Sequence, residues 1–515
     1  MFYLSARFLR FGFGINFLIV LAVACLFYTH PHLDFNTGLL RVVLPLVLVN
    51  ILTVYLCDPD GESSKTVKKY MVRLPTGSGY LKLNNIRRGA SIIGSAGSGK
   101  TESVVYNFMR HFHKHGFCGV IHDYKHFELT EMAYPLFQRE EIPFHIVSFD
   151  DIHKRVNPIA PRYMVDAESV NEVSRVLLEN LLEQRETIAL GSSKFFNDAV
   201  EGLLGGLIWK LKTSHPKMCT LPHLIAIYQR LDTNNLIKFL SSNITAKGMA
   251  DAFISGKDSE RQTAGVMSTL ANALKRISTA RIFMALSADE VPLDINNPKN
   301  PSVVSIVNNP KYETAYSPVI ATIIHTITKQ MSVRNRKSSF ILIEEAPTIR
   351  LLNMHRIPAT LRSYDIATVY VLQDKTQNDM MYGDKASRAI LSNLSYQFFG
   401  KANDPDTAKY YERFFEIVKK PTRSVSKSSN WNLDVRVTKG EKEVSKIRSD
   451  VFFRLKQGEF ISFADGKDKK IRFRTPRITK ELPDATHAFN AAEIQSNFER
   501  IHNEVKQLLR FKPKK

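Results

Sequence analysis

Hydrophobic and polar positions divide this chain into four stretches of different character. From 11 to 28, FGFGINFLIVLAVACLFY carries no charge and is long enough to cross a bilayer as a helix. A second apolar run follows from about 42 to 57, with Arg41 just before it and the polar turn THPHLDFNTG between the two. From Ser91 onward, short apolar runs alternate with amphipathic ones. ASIIG predicts a strand, ESVVYNFMRHFHKHG a helix stopped by Gly116, and CGVIHDYK and FHIVSF two more strands. After Asn157-Pro158 the period changes. VNEVSRVLLENLLEQ, KFFNDAVEGLLGGLIWKL and QTAGVMSTLANALKRI place apolar residues three and four apart, predicting nearly continuous helix from about 165 to 287. Strand-like runs return with SVVSIVNN, SSFILIEE, IATVYVLQD and YQFFGKA. Beyond Pro421 the chain is rich in Lys and Arg and ends its strand-like pattern with EFISFADG and KKIRFR.

The order predicts an α/β fold with a parallel sheet, interrupted by an all-α insertion. Charge around the two apolar runs sets their orientation. Arg7 and Arg10 precede the first, Lys65, Lys68, Lys69 and Arg73 follow the second, and the turn between them has neither Lys nor Arg. The positive-inside rule makes the pair a transmembrane hairpin with both flanks in the cytoplasm. A cleaved signal peptide shares the basic start and apolar core, but the second run argues against it. A buried core hairpin is the other reading.

Composition adds a partner class. The formal net charge is +21, which points to an anionic partner, nucleic acid or an anionic membrane face; a basic surface kept for solubility is the plainer account. Of the four cysteines none forms a C-x-x-C pair, so neither a disulfide framework nor a zinc site is expected, and a reducing cytosol suits the soluble part. His111, His113 and His115 lack the Glu of an H-E-x-x-H zinc helix. Their place near a helix C-terminus, where cations stabilise the dipole, accounts for them.

The firmest chemical signal is Gly94, Ser95, Ala96, Gly97, Ser98, Gly99, Lys100 and Thr101. They fit G-x-x-x-x-G-K-[ST] between a predicted strand and a helix. Glycines let backbone N–H groups turn toward phosphate oxygens, and the helix N-terminus adds its positive end. Lys100 is expected to reach the β and γ phosphates of ATP, and the Thr101 hydroxyl to bind Mg2+. The second signal is SSFILIEEAP, an apolar strand ending in Glu344 and Glu345. One carboxylate at such a strand end can hold Mg2+ and its neighbour can activate the attacking water. Two solvated surface acids are the bland alternative. Arg362 lies just ahead of the next strand and Gln373 at its end. The first is a candidate to reach a neighbouring subunit's nucleotide and the second to sense the γ-phosphate or position water, each against the reading of an ordinary surface residue. The expected organisation is a transmembrane hairpin at 1–60, the nucleotide-binding domain in two parts at 61–164 and 288–480, the all-α insertion at 165–287, and a basic helical tail at 481–515.

Taken in order, these features resemble the type IV coupling proteins, the TraG/TraD-type ATPases of conjugative DNA transfer. IHDYKHFEL is similar to the family's strand ending in Asp-Pro-Lys-Gly-Glu-Leu, here Asp123, Lys125, Glu128 and Leu129. Asn157-Pro158, FFNDAVEGLL, ERQTAGVMSTLANAL, LSNLSYQFFGKANDPDTAKYY and VFFRLKQGEFISFADGKDKKIRF follow in the family's order. The resemblance implies a RecA-like motor, a homo-hexamer at the bacterial inner membrane with its soluble part in the cytoplasm. It would use ATP to bring relaxase-bound single-stranded DNA, the relaxosome, to the type IV secretion channel. It also implies that Arg362 is an arginine finger and Gln373 a sensor. Tyr124 stands where Pro is usual, His126 where Gly is usual, Phe127 is an extra residue, and Glu344 replaces Asp. Two other readings stay open: a chromosome-segregation translocase resembling the FtsK type, and a membrane scaffold that binds nucleotide without turning it over.

Overall fold

The computed structural model describes residues 68–182, 192–427 and 435–510, with isolated positions between 21 and 45. The chain divides into two compact units, Met1–Tyr70 and Met71–Lys515. In the first, the described positions are helical. The two spans expected there lie for the most part outside the described residues, among which no helix is long and apolar enough to cross a membrane.

The second unit is built on a nine-stranded sheet. Its strands in chain order are β3 (Ala90–Ile93), β4 (Cys118–Asp123), β5 (Phe144–Val147), β6 (Val303–Val307), β7 (Ser339–Ile343), β8 (Ile366–Leu372), β9 (Tyr396–Phe399), β12 (Glu459–Ala464) and β13 (Lys467–Arg472). Two hairpins form sheets of their own: β1 (Val72–Thr76) with β2 (Gly79–Leu83), which touches the end of β13 through a Thr76–Phe473 bridge, and β10 (Ile417–Lys427) with β11 (Val435–Ser445). Across the large sheet the order is β13-β12-β9-β3-β8-β7-β4-β6-β5. From β9 to β5 every pairing is parallel, while β12 and β13 add an antiparallel edge. Parallel strands are covered on both faces, and the sequences obey that rule: β3, β4, β6, β7, β8 and β9 are buried at every residue. Aromatic packing closes one face, where Phe112 lies flat on Phe340 at 4.4 Å. Gly119 is required opposite that ring, since a Cβ there would come within 2.4 Å of it.

Between β5 and β6 the longer described elements are helices, among them Ala167–Leu181, Ser192–Ser214, Leu221–Arg230, Glu260–Lys275 and Ala280–Leu286. Side-chain caps set some of the starts: Asp166 accepts from the Ser169 N–H at 2.8 Å ahead of Ala167–Leu181, and Asp232 from the Asn235 N–H at 2.8 Å ahead of Thr233–Ser241. Gly202 lets two helices meet, because a Cβ there would sit 2.3 Å from the Met249 carbonyl oxygen. These helices share one hydrophobic core with the sheet. The C-terminal helix Ala491–Arg510 docks on them through Phe498 against Phe283 at 4.8 Å and Glu504 against His223 at 2.8 Å.

Candidate nucleotide site

The phosphate loop leaves β3 and enters a helix that begins with a wide π-type turn over Lys100–Val105 before settling into Tyr106–Lys114. Gly97 and Gly99 have φ of 73° and 83°, the left-handed region that a side chain disfavours. The loop is held from both sides. The Gly94 N–H donates to Leu372 at the end of β8 (3.2 Å), and the Ser95 N–H to Lys401 after β9 (2.7 Å). From the sheet's antiparallel edge, the Gly458 N–H donates to the Ser98 carbonyl at 2.9 Å.

Inside the loop, Lys100 is buried and its ammonium donates back to the Gly94 carbonyl and to Ser95 O at 3.3 Å. Burial pulls its pKa below the ordinary value, against the attraction of Glu345. The hydroxyls of Ser95 and Ser98 are buried and find no hydrogen-bond partner. Unsatisfied buried hydroxyls cost free energy unless a polar group reaches them. Two glycines in the left-handed region, a lysine folded onto the loop's own carbonyls and two orphan hydroxyls fit a phosphate chain.

One strand separates this loop from the acids. β8 lies between β3 and β7, so the C-terminal end of β7 brings Glu344 and Glu345 near the loop, with the end of β8 between. Both acids are buried, at 2% and 3% exposure, which excludes two solvated surface acids. Burial raises the Glu344 carboxyl to about 8, helped by the charge of Asp123 and opposed by Lys125. One of its oxygens has no hydrogen-bond partner. The Gln373 side chain donates to Glu345 at 3.0 Å, so the end of β8 orients the second acid.

Lys125 completes the cluster. Its ammonium lies 3.6 Å from Glu344, 3.5 Å from Glu345 and 3.4 Å from Glu128. Burial lowers its pKa, but these acids outweigh that and raise it overall. Its family motif was legible in the sequence; its place between the two acids was not. The signal available was position, two residues past β4, whose C-terminal end adjoins that of β7. Beneath it, Asp123 is buried and accepts from the Thr130 N–H (2.7 Å) and hydroxyl (2.6 Å), while desolvation raises it to about 6. The neighbouring His122 is neutral: its Nδ1–H donates to the Glu344 carbonyl at 2.8 Å, and burial lowers it to about 4.

The backbone here is strained. His126, Phe127 and Glu345 have φ of 46°, 73° and 43°. Each left-handed non-glycine residue costs on the order of 1 kcal/mol. A glycine at 126, which the resemblance led us to expect, would carry that conformation without penalty. Beside the acids opens a cavity of about 560 Å³, lined in part by Tyr124, Glu313, Glu345, Arg350 and Gln373.

Arg362 is not brought to this site. It is exposed in the short turn before β8, at the opposite end of that strand from Gln373. Seven strand residues span roughly 23 Å, so Arg362 stands at the opposite end of the strands from its own phosphate loop.

A parallel sheet with the phosphate-loop strand and the acid-bearing strand separated by one strand defines a RecA-like P-loop nucleotide-binding fold. The family model for type IV secretory system conjugative DNA transfer matches residues 61–449, and the chain belongs to that family. The unbound form of the bacterial conjugative coupling protein TrwBdeltaN70 matches with a TM-score of 0.63 at 13% identity, over 82% of this chain and 93% of that one. Plasmid coupling protein TrwB in complex with the ATP analogue ADPNP gives 0.60 at 13% identity, over 77% and 87%. TrwB with ADP and Mg2+ gives 0.60 at 13%, over 78% and 88%. At this identity the likeness establishes the fold. A search of curated proteins gave no match.

Proposed function

We propose that this chain is an ATP-hydrolysing motor that is anchored in the inner membrane by a two-span hairpin at 1–60. It assembles as a homo-hexamer and delivers relaxase-bound single-stranded DNA to a type IV secretion channel. The observation that carries the hydrolytic part is the convergence of Lys100, Glu344, Glu345, Gln373 and Lys125 at the ends of adjacent strands. The solved TrwB complexes with ADPNP and with ADP and Mg2+ support ATP and Mg2+ as the ligands. The two-part nucleotide-binding domain with an all-α insertion at 165–287 and a tail at 481–515 is the organisation we assign.

In this reading the loop N–H groups and the Ser95 and Ser98 hydroxyls hold phosphate oxygens. Lys100 leaves the Gly94 carbonyl for the β and γ phosphates. Thr101 and Glu344 would hold Mg2+, which neutralises phosphate charge when bound. The orphan oxygen of Glu344 fits that role. Glu345, oriented by Gln373, accepts a proton from water as the water oxygen bonds to the γ-phosphorus and ADP departs. Arg362 reaches the nucleotide of a neighbouring subunit, since sheet polarity denies it its own.

The test is ATP hydrolysis by the full chain in detergent, with and without single-stranded DNA. DNA-stimulated turnover is expected, lost in Lys100→Ala and in Glu345→Gln, with Glu345→Gln still binding an ATP analogue. An assembled protein that binds ATP but never hydrolyses it would overturn the motor in favour of a nucleotide-binding scaffold.

A further inference from the structure

The β10–β11 hairpin is a two-stranded sheet by itself, eleven residues on each side. Such a ribbon is marginal in water without a third strand or a helix against it. Its register makes matters worse. Lys420 pairs directly with Lys442, both exposed. Like charges directly opposite one another destabilise a sheet. An arrangement that is unfavourable in the free protein and concentrates cations calls for an anionic partner.

The acids are unevenly placed. Glu443 is registered with Lys419, and Glu441 with Pro421, its carboxylate 4.0 Å from Lys419. They belong to one alternation of the ribbon. Among the described side chains, the other alternation runs Val418–Val444, Lys420–Lys442 and Thr422–Gly440, with two cations and a hydroxyl residue but no carboxylate. Lys, Arg, Ser and Thr are the residue types that contact nucleic-acid phosphates. Pro421 and the edge lysines also disfavour addition of a protein strand.

The ribbon is tied to the nucleotide site. At its root Lys446 bridges Glu416 (2.9 Å) and Asp468 (2.8 Å). From there the chain passes through the helix Ser449–Phe453 to Gly458, which bonds the phosphate loop at Ser98. A load on the ribbon therefore pulls on a segment that walls the loop.

We infer that the carboxylate-free alternation of the β10–β11 ribbon, centred on the Lys420–Lys442 pair, grips the phosphate backbone of the single-stranded DNA that the motor moves. This rests on the DNA-transfer reading. The test measures binding of a fluorescein-labelled single-stranded oligonucleotide to the full chain in detergent, over a salt series. Replacing both lysines (Lys420→Gln with Lys442→Gln) should weaken binding roughly tenfold near physiological salt and lower the salt slope by about 1.4. The paired Lys→Arg variant should bind like the parent. An unchanged affinity and slope in the Gln pair, or a loss in the Arg pair as well, would overturn the assignment. So would loss of binding to phosphatidylserine vesicles with DNA binding intact, which would make the ribbon a membrane contact. If the parent itself binds no DNA, the transfer reading fails; if only the variant comparison is flat, the ribbon assignment alone fails.

Discussion

Gln373 donates to the Glu345 carboxylate at 3.0 Å, joining the end of β8 to the acid that follows β7. The two strands are ladder neighbours, and this side-chain bond ties the residues that follow them. Gln373→Ala should leave ATP-analogue binding nearly intact and reduce turnover by about two orders of magnitude, read as kcat in steady-state hydrolysis. A large rise in KM with kcat unchanged would assign Gln373 to binding instead.

Lys125 holds three carboxylates within 3.6 Å and is the nearest cation to both strand-end acids. Lys125→Met leaves Glu344 and Glu345 buried without it. Turnover should fall at least tenfold, and Lys125→Arg should recover part of the loss, because the charge rather than the ammonium shape matters most. Equal activity of Met and Arg variants would count against this role.

Arg362 offers a test of assembly. Arg362→Ala should bind nucleotide as the parent does yet fail to hydrolyse it. Mixed with Lys100→Ala subunits, it should recover activity, since some interfaces then pair an intact loop with an intact arginine. No recovery at any mixing ratio would leave Arg362 without a role in trans.

How much of this was legible beforehand differs from residue to residue. The loop from Gly94 to Thr101 and the strand ending in Glu344 were readable because each is a local pattern with one chemical use. The helical stretch was readable because a period of three to four persists over many turns. What could not be read depends on strand order. A long interval of chain separates β4 from β7 and β8, and only the sheet places Lys125 beside Glu344 and Glu345. That Arg362 and Gln373 flank one strand was readable; that the phosphate loop lies at the Gln373 end follows from β8 running parallel to β3. The β10–β11 ribbon read only as a basic stretch, because cross-strand pairing is set by register.

The departure at His126 has a measurable consequence. Its φ of 46° is one a glycine accepts freely, and its contact with Asp150 at 3.6 Å is half exposed and weak. His126→Gly should therefore fold, with stability equal to or up to about 1 kcal/mol above the parent, measured by thermal unfolding. A marked destabilisation would mean the imidazole does more than tolerate its backbone.

Acid sensitivity can be assigned to single histidines. His325 is buried, and desolvation lowers it to about 4, with Glu172 3.8 Å away pulling upward and Lys329 opposing. For a base with a lowered folded pKa, the unfolded chain takes up more protons between pH 6.5 and 4. Stability is thus present above 6.5 and lost as pH falls toward 4. Relative to His325→Gln, the parent should lose on the order of 1 kcal/mol per pH unit across that window. Parallel pH profiles for the two proteins would contradict a neutral buried imidazole.

The hydrogen bond from Gly458 to Ser98 spans most of the chain, and it makes the order of synthesis matter. The loop is made early, but its outer wall is translated far later, with β12 and β13. A chain interrupted before Gly458 has the loop sequence and the acids, yet lacks the backbone that closes one side of the phosphate cradle. The phosphate cradle is in this way complete only in chains whose translation has passed Gly458.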